Sequence, residues 1–158
     1  MPLKRTGFKQ KPRKPLKRTK LRVVGVSTVA QLKKEIQSLV REIVMIRDKG
    51  CVLRSKRHCG GDLDTTGVVI QADHLITRAN SATFADTRLI VCVCRGCHMW
   101  KKYNANMYDA LIRDVISKER IKLWERCEES RYTYKSAGAY DWKLSIVALE
   151  KELAELKK

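Results

Sequence analysis

Cys94-Arg95-Gly96-Cys97-His98 sets two thiols three positions apart and a histidine directly after the second. Such a turn presents two thiolates to one zinc ion. A tetrahedral site then needs a second clip, so that four ligands converge at about 2.3 Å. Cys51 and Cys59 supply that clip, although a basic loop of Arg54, Lys56, Arg57 and His58 separates them. His58 is an alternative ligand to Cys59, and Cys92 to Cys94. Cys92 and Cys94 alternate along one extended segment and so face opposite sides, which suits Cys92 to the core and Cys94 to the metal. Cys127 lies far along the chain and reads as a partly buried structural thiol. Upstream, Asp73-His74 pairs an acid with another histidine. A histidine titrating near neutrality can take a proton from water. A carboxylate and a further imidazole can hold a hard divalent cation, with positions left open for water and phosphate.

Two short strands must carry these groups. Val68-Val69-Ile70-Gln71-Ala72 is β-prone and brings Asp73-His74 to its end, and Leu89-Ile90-Val91-Cys92-Val93 is a second buried run leading into the cysteine pair. The polar stretch Leu75 to Arg88 makes them a hairpin with a long loop. Cys97-His98 opens a helix, interrupted near Asn104–Asn106 and resumed through Leu111, Ile112, Val115 and Ile116. Cys51 to Thr66 reads as irregular loop with Gly60-Gly61, Asp62 and Asp64. Before it, Ser27 or Thr28 caps a helix running to about Lys49. Its Leu32, Ile36, Leu39, Ile43 and Ile46 form one apolar stripe, and Gly50 is the stop. Arg131–Tyr140 reads as loop, and Asp141 caps a last helix striped by Ile146, Leu149, Leu153 and Leu156. The expected fold class is α+β: a small zinc-stapled ββα core flanked by α-helices, with a disordered basic N-terminal tail. The divisions are a tail over 1–26, an amphipathic helix over 27–50, the zinc-containing core over 51–116 and a helical region over 117–158.

Composition narrows the partners. With 158 residues and a formal net charge of +17, the chain is one domain with appendages, suited to a polyanion and above all to nucleic acid. In the tail, Lys4, Arg5, Lys9, Lys11, Arg13, Lys14, Lys17, Arg18, Lys20 and Arg22 meet no acid, and Pro-Leu-Lys-Arg-Thr occurs at Pro2–Thr6 and again at Pro15–Thr19. Too apolar-poor to order itself, this arm is expected to lie along phosphates. No signal peptide or membrane-spanning run is evident, so the expected location is a reducing cytoplasm, where clustered cysteines bind metal rather than pair.

Phosphodiester hydrolysis requires a deprotonated water, a neutralised phosphate and a stabilised leaving oxygen. His74 fits the base, while Asp73 and His98 fit the ligands of a cation that supplies the other two. Asp73-His74 followed by Leu89-Ile90-Val91-Cys92-Val93-Cys94-Arg95-Gly96-Cys97-His98 resembles the HNH, or ββα-metal (His-Me finger), nuclease motif. Within that superfamily the chain is most similar to phage recombination endonucleases of the NinG/Rap type, which act on branched DNA such as Holliday junctions. The Leu-Lys-Arg-Thr arm, His74-Leu-Ile-Thr-Arg78 and Phe84-Ala-Asp-Thr-Arg88 carry that part of the likeness. The resemblance covers roughly Cys51 to Ile116. It implies His74 as general base, Asp73 and His98 as ligands of a catalytic Mg2+ or Mn2+, and Cys51, Cys59, Cys94 and Cys97 as a structural Zn2+ site. In one place the sequence departs from the pattern: Leu89 stands where the family has an Asn that braces the loop, so either Thr87 or Asn80 takes over, or the loop is less rigid. The phage enzymes also often carry Asn where this chain has His98.

Arg78, Arg88, Arg95, Lys101 and Lys102 cluster around the motif and are expected to meet phosphates, which position DNA without reading its sequence. Trp100 and Tyr103 either pack under the hairpin or stack on an unpaired base, and Tyr132, Tyr134 and Tyr140 could wedge a junction. Symmetric cutting of a four-way junction needs two active sites, hence a possible homodimer through Leu32–Ile46 or Ile146–Leu156. Two other functions compete: a non-catalytic zinc-dependent nucleic-acid-binding module, and an HNH nuclease that restricts, nicks or packages ordinary duplex.

Overall fold

The computed structural model describes residues 27–59, 69–130 and 139–158, with the side chains of residues 139 and 140 left aside. The basic tail, Gly60-Gly61, Asp62, Asp64 and Tyr132, Tyr134 and Tyr140 fall outside what is described. The remainder is a small α+β fold: α1 (Val29–Asp48), α2 (Arg54–Arg57), β1 (Ile70–His74), β2 (Ile90–Cys94), α3 (Arg95–Lys101), α4 (Ala105–Val115), α5 (Lys118–Ser130) and α6 (Ala139–Leu156). Among these residues no helix is long and apolar enough to cross a membrane.

Thr28 starts α1 with a reciprocal capping box. Its hydroxyl accepts from the Gln31 N–H while the Gln31 side chain accepts from the Thr28 N–H. At the other end the left-handed residue is Lys49 (φ 52°), one position before the glycine expected to stop the helix. Of the expected stripe of α1, Leu32, Ile36 and Ile43 are buried, joined by Val40 and Val44, while Leu39 and Ile46 are half-buried. The helix packs on α6, whose Trp142, Ile146, Leu149 and Leu153 are buried too. Both helices that could have formed a dimer seam therefore spend those stripes inside the chain. The last helix begins at Ala139, so Asp141 lies in its first turn rather than at its cap.

β1 and β2 pair antiparallel, with Ile70 opposite Cys94 and His74 opposite Ile90. Ile90-Val91-Cys92-Val93-Cys94 is buried throughout, as expected of a strand covered on both faces. The second strand starts one residue later than the apolar run suggested, because Leu89 closes a short 3-10 turn over Thr87–Leu89. Cys94 then caps α3 through its sulfur, so the helix starts at Arg95, ahead of the expected Cys97. α3 runs back over the hairpin, and the chain breaks at Lys102–Asn104 before α4, where the sequence placed an interruption. Within Cys51 to Thr66 the expected irregular loop contains a helical turn, α2, ended by His58 in the left-handed region (φ 47°).

Candidate metal centres and active site

The sulfurs of Cys51, Cys59, Cys94 and Cys97 all lie within 4.8 Å of one another, with Cys51 and Cys59 3.6 Å apart. Tetrahedral zinc with bonds of about 2.3 Å spaces its sulfurs at about 3.8 Å, so this set fits one ion after a small contraction. Three of the four residues are buried, and none of the four is in a disulfide. Burial pushes the Cys51 thiol up to about 11 and drives that of Cys97 up as well. Burial also opposes the Cys94 thiolate. There, hydrogen bonds from the Cys97 backbone N–H and from the thiols of Cys97, Cys59 and Cys51 outweigh it, and the pKa falls. Burial thus resists ionisation of Cys51 and Cys97, a cost that a cation held among the four sulfurs would offset. Arg57 adds positive charge: its Nη1 donates to Cys97 Sγ at 3.4 Å while the guanidinium lies 3.9 Å from the centre of the Trp100 ring. His58 is exposed and Cys92 is buried in the core with its thiol pushed up to about 12, so neither alternative ligand joins the cluster.

β1 ends with Asp73 and His74 on opposite faces, as successive strand residues must be. α3 brings groups to both. Three residues of helix advance about 4.5 Å and six about 9 Å, which carries His98 and then Lys101 back along the hairpin to the Asp73 end of β1. Asp73 is buried and its two oxygens have different company. Oδ2 accepts from Lys101 Nζ and from the Tyr108 hydroxyl, both at 2.7 Å; Oδ1 lies 3.4 Å from His98 Nε2. Lys101 Nζ also donates to the His74 carbonyl at 3.2 Å. Burial, and after it the Asp73 charge, raise the Tyr108 pKa, so its hydroxyl stays a donor. Adjacent ligands on an octahedral ion with bonds of about 2.1 Å sit about 3.0 Å apart. The Oδ1–Nε2 pair is near that separation, and Oδ1 is the oxygen that Lys101 and Tyr108 leave free. These residues fit a hard divalent cation.

His74 lies across the strand, in a cleft of about 560 Å³ that His98 also lines. The imidazole Nε2 is 3.3 Å from the Phe84 carbonyl, which can only accept, while Arg78 Nε donates to Nδ1 at 3.2 Å. Together they select the neutral tautomer with hydrogen on Nε2 and a lone pair on Nδ1. Burial first, then the Arg78 charge, lower the His74 pKa. Phe84 is itself held by Trp142 of α6, edge to face with ring centres 5.3 Å apart.

Leu89 is buried in the core, and the bracing it cannot give comes from an unexpected quarter. Arg47 donates to the carbonyls of Thr87 (2.8 Å) and Ile90 (2.7 Å), and Arg120 to those of Arg88 (2.7 Å) and Ile90 (3.0 Å). Asp48 pairs with Arg47 and accepts from the Cys92 N–H at 2.9 Å. Of the expected substitutes, Thr87 gives its hydroxyl to Glu152, and the Asn80 side chain accepts only locally, from the Ala82 N–H two residues on, while its buried Nδ2 has no partner among the described residues. Nothing in the local sequence marks Arg47 and Arg120, since each reads as a helix-surface cation.

The expected phosphate contacts divide by position. Arg78 lines the histidine cleft. Arg95 lies beside the cysteine cluster, and Lys102 is exposed. Arg88 pairs with Asp86 at 2.7 Å and lines a separate cleft against α6, while Lys101 is committed to Asp73. Trp100 is half-buried under Arg57, whereas Tyr103 is 84% exposed. No family model, curated protein or solved structure matches this chain.

Proposed function

We propose that this chain is a divalent-metal-dependent DNA endonuclease of the HNH kind, structure-selective for branched DNA such as Holliday junctions in phage recombination within a bacterial host's cytoplasm. One observation carries the reading: His98 joins the free oxygen of Asp73 on one side and the cleft of neutral His74 on the other. A bound Mg2+ or Mn2+ would supply Lewis acidity to a bridging phosphate and its leaving oxygen. Asp73 and His98 would hold that ion, with Lys101 and Tyr108 fixing the carboxylate through its other oxygen. His74 takes the proton of the attacking water at Nδ1, in place of the Arg78 contact. Its Nε2–H stays on Phe84 and stabilises the imidazolium as it forms. Cys51, Cys59, Cys94 and Cys97 would hold a zinc ion that ties the α2 loop to the start of α3, the helix that carries His98. The basic tail, with Lys4, Arg5, Arg13, Lys14, Lys17 and Arg18, adds phosphate contacts, and a homodimer would supply the second cut.

Cleavage of a labelled four-way junction with Mg2+ or Mn2+ tests the proposal. Wild type cuts, His74→Ala loses at least about a hundredfold in rate, and a linear duplex of equal length is cut more slowly. Equal cutting by the mutant, or none by wild type with either metal, ends the nuclease reading. Faster cutting of the duplex moves the role to restriction, nicking or packaging. A second reading draws on Lys101, whose ammonium already neutralises Asp73. In a non-catalytic zinc-dependent binding module, DNA binding is tight and salt-sensitive, turnover is absent, and loss of His74 changes nothing.

A further inference from the structure

The wall of the histidine cleft opposite β1 belongs to α1, a helix that the motif does not include. Lys34, Gln37, Ser38 and Arg41 line it, and all four are exposed. Their spacing of three, four and seven residues puts them on one face of the helix, beside the buried stripe. The charges of α1 are sorted around that face. Its acids in this stretch, Glu35 and Glu42, lie off the cleft, and Glu42 is paired at 2.7 Å with Lys157, just past the end of α6. Among the described residues no carboxylate lines the cleft, and the nearest acid of the site, Asp73, is buried and bound by Lys101. Lys33 plays a different part, packed with its Nζ 5.0 Å from the centre of the Trp142 ring. Arg41 uses one N–H on the Ile70 carbonyl at 3.3 Å, which ties it to the strand that carries His74 and leaves other donors of the fork for a ligand.

We propose that this stripe of α1 binds the phosphodiester backbone of one DNA strand beside the bond that His74 addresses, with Lys34 and Arg41 each neutralising a phosphate and Gln37 and Ser38 as neutral donors between them. From Lys34 to Arg41 the helix rises about 10.5 Å, the axial length of about three nucleotides of one strand. Such phosphate contacts position the strand and carry no sequence information directly. This deepens the nuclease reading and rests on it for the identity of the polyanion.

The experiment is equilibrium binding of a fluorescein-labelled four-way DNA junction to the full-length protein, from low to moderate salt and without added divalent metal, so that binding is read apart from turnover. Each phosphate contact contributes about 0.9 to the slope of log affinity against log salt. Lys34→Ala and Arg41→Ala each lower that slope by about 0.9, and the double variant by about twice as much. Arg41→Lys, which keeps the charge, retains the wild-type slope. Lys118→Ala, an equal loss of charge on α5 away from the cleft, leaves the slope unchanged. Among the described residues Lys34 is exposed and enters no hydrogen bond or ion pair, so Lys34→Ala carries the test if Arg41→Ala proves unstable. A wild-type slope in Lys34→Ala, or an equal drop in Lys118→Ala, overturns the proposal. The two readings fail separately. Junction cutting with unchanged slopes removes the α1 surface alone; reduced slopes in a protein that never cuts remove the nuclease and support the surface.

Discussion

His74 gives its Nε2 hydrogen to the Phe84 carbonyl at 3.3 Å, and that bond determines which imidazole nitrogen is left to act as a base. Burial and the neighbouring Arg78 guanidinium hold the ring's pKa below its ordinary 6.5. The acidic limb of the kcat/KM profile for DNA cleavage is therefore expected below pH 6.5, and Arg78→Ala moves it up. The same shift acts on stability. Because the folded pKa is below the unfolded one, this contribution is fully present above pH 6.5 and is lost as the pH falls through the folded value. An acidic limb above 6.5 in the wild type contradicts this assignment of His74.

Asp73 provides the second prediction, because its buried Oδ2 depends on two donors. Tyr108→Phe removes one hydrogen bond to a charged group, with an expected loss of about 1.5–3 kcal/mol. Lys101→Met removes the cation and leaves the carboxylate uncompensated, so the protein is destabilised by roughly as much or more. A divalent ion on Asp73 and His98 can replace that charge. Added Mn2+ thus raises the melting temperature of Lys101→Met by more than that of the wild type. Thermal denaturation with and without Mn2+ decides it, and equal shifts would show that no cation binds at this pair.

Zinc is separable from both. The purified protein is expected to hold one tightly bound zinc, counted by native mass spectrometry. Cys59→Ser and Cys97→Ser lose it, while Cys92→Ala and His58→Ala keep it. Losing the ion removes several kcal/mol from a chain of this size, which corresponds to a melting temperature lower by about 10 °C or more. Retention of zinc by both serine variants is the outcome that rules out the four-cysteine site.

The carbonyl clamp makes a fourth prediction. Arg120 is substantially buried, and its pKa is lowered to about 10 by burial and by the charge of Arg47, yet it stays charged at neutral pH. Arg120→Met leaves the Arg88 carbonyl without that donor and loosens the turn that leads into β2. A stability loss of about 1–3 kcal/mol is expected together with a lower kcat, while zinc content stays at one. Arg120→Lys recovers part of the stability and little of the rate, since an ammonium is a point donor without the rigid fork of a guanidinium. Hydrogen exchange at Leu75, whose N–H bonds the Leu89 carbonyl, reports the loosening directly.

Cysteine spacing, the acid–histidine pair and the two β-prone runs were enough to place Cys51, Cys59, Cys94 and Cys97 in one cluster and to put Asp73-His74 at the end of a strand. Those features are local: a turn, an alternation and a helical stripe are set by neighbours within a few residues, so they can be read along the chain. The break between α3 and α4 and the capping of α1 by Thr28 belong to the same class. The four-residue helix α2 escaped notice because one turn has no periodicity to detect.

What the linear order could not disclose are the partners that meet across the fold. Tyr108 reaches Asp73 from 35 positions away, and Arg120 reaches Ile90 from 30. Such contacts depend on how the helices dock. A tyrosine at a core position or an arginine on a helix surface looks the same in sequence whatever it touches. Residue types and spacing determined that this chain could gather a four-cysteine cluster able to hold a metal ion. Only the packing of α1, α3 and α4 around the hairpin decided that one oxygen of Asp73 is tied down and the other left open, because a carboxylate's two oxygens become distinct only in a three-dimensional field of donors.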